Sequence, residues 1–141
     1  MSREVGLQLL AQIKELLEKL EKFHKVKDSE KFLDYDLGVE RLLSLLVEIS
    51  NDLLCHLFLF HKIQVPATYY DVFSKAGEIE WLPVNLAQRL QQAGKMRNIL
   101  IHAYGRIDPA IVRRSIPDAL EDFRNFAKKI KPLVDKLPDK R

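Results

Sequence analysis

Apolar residues recur along this chain at three- and four-residue steps, with charged residues between them. That period belongs to helices that pack by one face. In the first segment Leu9, Ile13, Leu16, Leu17, Leu20 and Phe23 share a stripe, and Lys14, Glu15, Glu18, Lys19 and Glu21 fall off it. Ser2 is placed to cap its start. The basic run Lys22, His24, Lys25 and Lys27 suits its C-terminal end, where the last carbonyls carry partial negative charge. Asp28 and Ser29 then open a second helix that reaches about His61, with Leu33, Leu37, Leu42, Leu45, Leu46, Ile49, Leu53 and Leu57 as a broad apolar face. Its far end, CHLFLFHKIQV, alternates enough to mimic a strand, but no second strand is nearby to pair with it, so helix is expected.

Pro66 breaks the pattern. Thr68 can cap a short third helix through Val72, Phe73 and Ala76, ending near Gly77. Pro83 starts a fourth helix that runs to about Tyr104, with Leu86, Leu90, Ala93, Leu100 and Ala103 inward and Gly105 as its stop. Asp108 and Pro109 open a fifth, an N-cap followed by proline at the first helical position. Its core face is Ile116, Leu120, Phe123, Ile130 and Val134. Pro117 and Pro132 each predict a kink or restart, and the tail LPDKR is expected to fray. The pattern predicts an all-α, up-and-down bundle of four or five helices in a single domain spanning residues 1–141.

Composition narrows the function. At 141 residues, 47% hydrophobic and 30% charged, the chain has globular values. The single cysteine, Cys55, excludes an intramolecular disulfide and a cysteine-rich zinc site, and a reducing cytoplasm is the expected compartment. The net charge of +3, from 23 basic and 20 acidic residues, permits a nucleic-acid partner without demanding one. The N-terminal segment is interrupted by charges at regular intervals, unlike a signal peptide. The longest apolar cluster, Leu53 to Phe60, contains His56, and no membrane span is expected.

Glycine-rich phosphate loops, HExxH, paired Cys/His zinc spacings and the nucleophile elbow are all absent. One stretch does concentrate chemistry: Lys95-Met96-Arg97-Asn98-Ile99-Leu100-Ile101-His102-Ala103-Tyr104-Gly105. On a helix Asn98 and His102 are one turn apart on one face. Arg97 is placed to lean toward His102, and Tyr104 aligns with Arg97. Four bulky polar groups in eight residues are costly to bury. Histidine moves protons near neutral pH. Arginine holds a phosphate with two hydrogen bonds and stabilises charge developing on it. This set suffices for phosphodiester cleavage in RNA, where the 2′-hydroxyl is a built-in nucleophile. A buried polar network that specifies helix packing is the competing reading of the same residues.

The pattern Arg97-Asn98-x-x-x-His102-x-Tyr104 resembles the signature of the HEPN superfamily. More closely, the chain is similar to the HepT-like (DUF86) ribonuclease toxins of HEPN/MNT toxin–antitoxin modules. The resemblance runs from about Phe32 to about Ile130 and includes the Met-Arg-Asn lead-in, the Tyr-Gly exit and the Asp108-Pro109 opening. It implies a HEPN bundle and a homodimer that brings two motifs together across a cleft. It further implies a metal-independent endoribonuclease with Arg97 and His102 as the catalytic pair and Asn98 as polar helper, and with no cofactor or metal. The implied partners are an RNA substrate and a minimal nucleotidyltransferase (MNT) antitoxin, which transfers AMP onto the motif tyrosine, here Tyr104. AMP adds bulk and negative charge beside Arg97, which would repel an RNA phosphate. A non-catalytic HEPN module that binds nucleotide or protein is the alternative within the same family.

The remaining candidates read more plainly. His56 and His61 are five apart, off the one-turn spacing of a helical metal pair. Glu48 and Asp52 fit a surface face, with a cleft role tuning His102 as the sharper alternative. Tyr69 and Tyr70, near Trp81, are expected to pin the third helix, with base stacking as the other use. Cys55 reads as core filler, and Leu57, Phe58 and Phe60 as an exposed interface.

Overall fold

The computed structural model describes residues 2–25, 29–102 and 108–139, and for residues 29–37 and Pro109 the backbone alone. Five helices follow one another: α1 (Arg3–His24), α2 (Ser29–Phe60), α3 (Tyr69–Glu78), α4 (Val84–His102) and α5 (Pro109–Asp135). The described residues contain no strand, and the alternating stretch at Cys55 is helical to Phe60. The caps are those the sequence predicts. Ser2 Oγ accepts from Val5 N–H, Thr68 Oγ1 from Asp71 N–H, and an Asp108 carboxylate oxygen from Ala110 N–H.

Helix α2 is the hub and packs against all four others. Its Leu46, Leu53, Leu54, Leu57 and Phe58 are fully buried, meeting Ile13 and Leu20 of α1, Phe73 of α3, Leu90 of α4 and Phe123 and Phe126 of α5 in one core. Each large side chain so buried stabilises the fold by roughly 1.5–3 kcal/mol. Serving four neighbours gives α2 a broad apolar face. Residues 38–60 are therefore long and apolar enough to cross a membrane by length and composition, contrary to expectation, yet more than half of the segment is buried in the bundle. The same crowding corrects the expected interface. Leu57 and Phe58 are buried, and Leu59 with Phe60 are the exposed pair.

Helix α3 ends near Gly77, as the sequence predicts. The helix runs to Glu78, and the left-handed residue that ends it is Glu80, at φ 65°, with Trp81 N–H bonded to Ala76 C=O. Lys62, at φ 59°, ends α2 the same way, with Ile63 N–H on Phe58 C=O. Gly77 also serves packing. A Cβ there would lie 2.7 Å from the Ala87 methyl, so its hydrogen lets α3 and α4 close.

Neither Pro117 nor Pro132 breaks α5, which continues through both to Asp135. Both prolines are exposed, and the buried stripe of Ile116, Leu120, Phe123, Ile130 and Val134 holds the helix on the core across the missing hydrogen bonds. Through Asp139 the tail is also anchored. Leu137 is buried, Arg3 N–H donates to Pro138 C=O at 2.7 Å, and Arg3 pairs with Asp139. Gly6 of α1 lies against Val134 and Leu137, which joins the two ends of the chain.

Candidate active site

The motif helix is placed by its crossing with α3. At Gly94 a Cβ would sit 3.2 Å from Tyr69 Cβ, so the first turn of α3 rests directly on α4. Arg97 and Lys95 lie on opposite sides of that glycine around the helix, at 100° per residue. Each meets one of two consecutive tyrosines. The Arg97 guanidinium lies over the Tyr69 ring at 4.9 Å, and the Lys95 ammonium over the Tyr70 ring, also at 4.9 Å. Trp81 is elsewhere, stacked on Phe58 and edge-on to His61.

From α2, Glu48 Oε1 faces Arg97 Nη2 at 3.7 Å, and Arg97 Nη1 donates to Asn98 Oδ1 at 3.4 Å. The Arg97 side chain retains only 19% of its exposure. Among the described residues, Arg97 Nε and Glu48 Oε2 are buried without a hydrogen-bond partner. Stranded polar atoms weaken a fold, so this pair is a poor device for stability. The Tyr69 hydroxyl is held in its neutral form. Burial raises its pKa most, Arg97 opposes that, and Glu48, Asp52 and Cys55 add to it. Burial and Asp52 push the Cys55 thiol up as well; the thiol is only half-buried rather than deep in the core.

The three described motif residues divide. Arg97 turns back toward α2 and α3, while Asn98 and His102 are exposed, one turn apart. The reading as a buried packing network therefore fails for Asn98 and His102. Arg97 does not lean toward His102, because the Tyr69 face and the Glu48 carboxylate draw it the other way. Glu48 accordingly meets Arg97 and not His102. Tyr104, with Ala103 and Gly105, lies outside the described residues. Behind Arg97 a cavity of about 380 Å³ opens between α2, α4 and α5, walled by Leu43, Val47, Met96, Leu100 and Phe123. There Arg89 Nε meets Asp122 Oδ1 at 2.8 Å, with Asp118 and Glu121 at 3.9 Å. Burial raises the Asp122 pKa despite Arg89, with help from its acidic neighbours. Among the described residues no three His, Cys, Asp or Glu side chains gather as a metal site.

Sequence reasoning missed the seat that Tyr69 and Glu48 make for Arg97. Those contacts join three helices, and spacing within one helix carries no sign of them. The arrangement offers an arginine held by its flank, an amide beside it, and an imidazole open to solvent one turn on. Such a set can grip a phosphate and move a proton.

The chain matches the family model described as "Ribonuclease HepT-like" over residues 13–130. It is 28% identical over 127 residues to a protein named tRNA nuclease HepT from Aphanizomenon flos-aquae (strain 2012/KM1/D3), covering 90% of this chain and 86% of that one. Among solved structures it resembles a toxin–antitoxin complex with AMP-PNP, at TM-score 0.79 and 21% identity over 92% of this chain and 98% of that one. It also resembles the tri-AMPylated HEPN toxin of Shewanella oneidensis in complex with its MNT antitoxin, at TM-score 0.78 and 22% identity over 91% and 97%. These structural likenesses establish the all-α helical bundle.

Proposed function

Since this chain belongs to the HepT-like ribonuclease family, we propose that it is a metal-independent endoribonuclease toxin acting in the cytoplasm, with Arg97, Asn98 and His102 as its catalytic residues. The observation that carries the reading is the split on α4: a shielded arginine with an amide at its edge, and an exposed histidine one turn beyond. Arg97 grips the scissile phosphate and stabilises the charge that develops as the 2′-oxygen attacks phosphorus. Asn98 orients the same phosphate. His102 takes the 2′-hydroxyl proton and returns one to the departing 5′-oxygen. The 2′-O–P bond forms as the P–O5′ bond breaks, leaving a 2′,3′-cyclic phosphate and a free 5′-hydroxyl.

The relative named for tRNA cleavage makes a structured RNA with unpaired ends the favoured substrate class. The AMPylated neighbour, bound to its antitoxin, supports an MNT nucleotidyltransferase as partner and Tyr104 as the site of AMP transfer. Ile99, at 56% exposure, with exposed Ile101 and Ile111, supports a homodimer formed near the motif.

The test is RNA cleavage by the unmodified chain in EDTA beside His102→Ala, with the product ends identified. Cyclic-phosphate ends that vanish in the variant are expected. Full cleavage by a clean His102→Ala preparation overturns the assignment. No cleavage by a parent chain whose intact mass excludes AMP leaves the non-catalytic binding module.

A further inference from the structure

The exposed face of α4 continues well past the motif. Stepping back from His102 by three and four residues leads to Asn98, Lys95, Gln92 and Gln88, all exposed and all on one side of the helix. None of them is a carboxylate. Lys95 is about 10 Å from His102 along the axis, at 1.5 Å per residue. At Lys95 the track meets Tyr70. That ring is 40% exposed, an unusual place for an aromatic, and the Lys95 ammonium covers one of its faces at 4.9 Å. Beside it opens a groove of about 540 Å³ lined by Tyr70, Asn85, Gln88, Arg89, Gln91 and Gln92. Four of these six are side-chain amides, neutral groups that both donate and accept hydrogen bonds, as base edges do. The wall is firm, because Gln91 Nε2 donates to the Tyr70 carbonyl at 3.4 Å and α3 is seated on Gly94. Unpaired nucleic acid is bound by this combination of a cation for the backbone and an aromatic face for the base. A protein surface would call for a mainly apolar lining, whereas this groove is mainly polar.

We propose that Tyr70, Lys95 and the amide-lined groove form a subsite for an unpaired nucleotide of the RNA strand, about two helical turns from His102 along α4. Lys95 holds a phosphate, the Tyr70 ring stacks a base, and Gln88 and Gln92 reach its edge. The position along the strand rests on the catalytic reading of His102; the binding itself does not.

The test uses the full chain carrying His102→Ala and a short fluorescein-labelled single-stranded RNA with 2′-O-methyl riboses, which cannot be cleaved. Binding is read by anisotropy over a salt series. Adding Tyr70→Ala is expected to weaken binding roughly 5- to 150-fold, the range for loss of one stacked base, and Tyr70→Phe to restore it. Lys95→Ala is expected to lower the salt slope by about 0.7, one phosphate's share for a single strand. A duplex of the same sequence should compete poorly. Thermal melts confirm folding, and Tyr70→Leu offers a second variant that keeps apolar bulk without a ring face. Unchanged binding in folded Tyr70→Ala overturns the subsite, even where the parent cleaves RNA. Tyr70-dependent binding by a parent that never cleaves sinks the ribonuclease reading and leaves the subsite standing.

Discussion

The Arg97 guanidinium lies over the Tyr69 ring at 4.9 Å while Glu48 Oε1 faces its Nη2 at 3.7 Å. The arginine thus has a carboxylate where an RNA phosphate would otherwise enjoy its whole charge. Glu48→Gln keeps the shape and removes the competitor. A partly exposed ion pair is worth roughly 0.2–1 kcal/mol, so RNA affinity should tighten up to about fivefold. Anisotropy titrations with a non-cleavable RNA check this; equal or weaker binding would contradict it.

Gly77 is a packing residue. In Gly77→Ala the new methyl would approach the Ala87 methyl to 2.7 Å, and neither can rotate away. The helices must part, at a cost of about 1–3 kcal/mol. Urea unfolding should show that loss, and adding Ala87→Gly should recover part of it by making room. Absence of any recovery would point to a different origin for the effect.

The two chain ends stabilise each other through Leu137, which is buried against the start of α1. Leu137→Ala should cost about 2–5 kcal/mol. A frayed tail would lose almost nothing, so a denaturation midpoint close to that of the parent would refute the anchored tail.

Asp122 binds its proton more tightly in the folded chain than in the unfolded one, because burial raises its pKa. Its contribution is therefore most favourable below the ordinary aspartate range and is lost as pH rises through its raised value. Asn keeps an oxygen for Arg89 and cannot ionise. Relative to the parent, Asp122→Asn should therefore be more stable at pH 7 than at acid pH. Chemical unfolding at both pH values measures the difference, and a reversed trend would contradict it.

Much of this was legible in the residues themselves. The five helices, three of their caps and most of the buried stripe follow from local chemistry: a 3.6-residue period, hydroxyl and carboxylate caps, and proline at a helix start. The motif Arg97, Asn98 and His102 stood out because polar bulk is rare on an inward-packing helix. The errors came where distant parts of the chain decide. The restart that Pro117 and Pro132 allowed does not occur, because a missing hydrogen bond is local, whereas the core contacts that hold α5 together are not. The packing of Gly77 against Ala87 was invisible in the sequence because it joins two helices. The tail looked loose because Arg3, its anchor, lies at the other end of the sequence.

By itself the sequence determined that the chain is helical, which face of each helix is apolar, and that one short stretch of α4 gathers Arg97, Asn98 and His102, side chain types able to grip a phosphate and move a proton. Each of these depends on neighbours within a turn or two. Only the tertiary structure decided which way Arg97 points, that Tyr69 and Glu48 hold it, and that Lys95 covers Tyr70 beside a second, mainly polar groove. Those are relations between α2, α3 and α4, fixed by how closely the helices cross at Gly94 and Gly77, and a helical period contains no information about its neighbours.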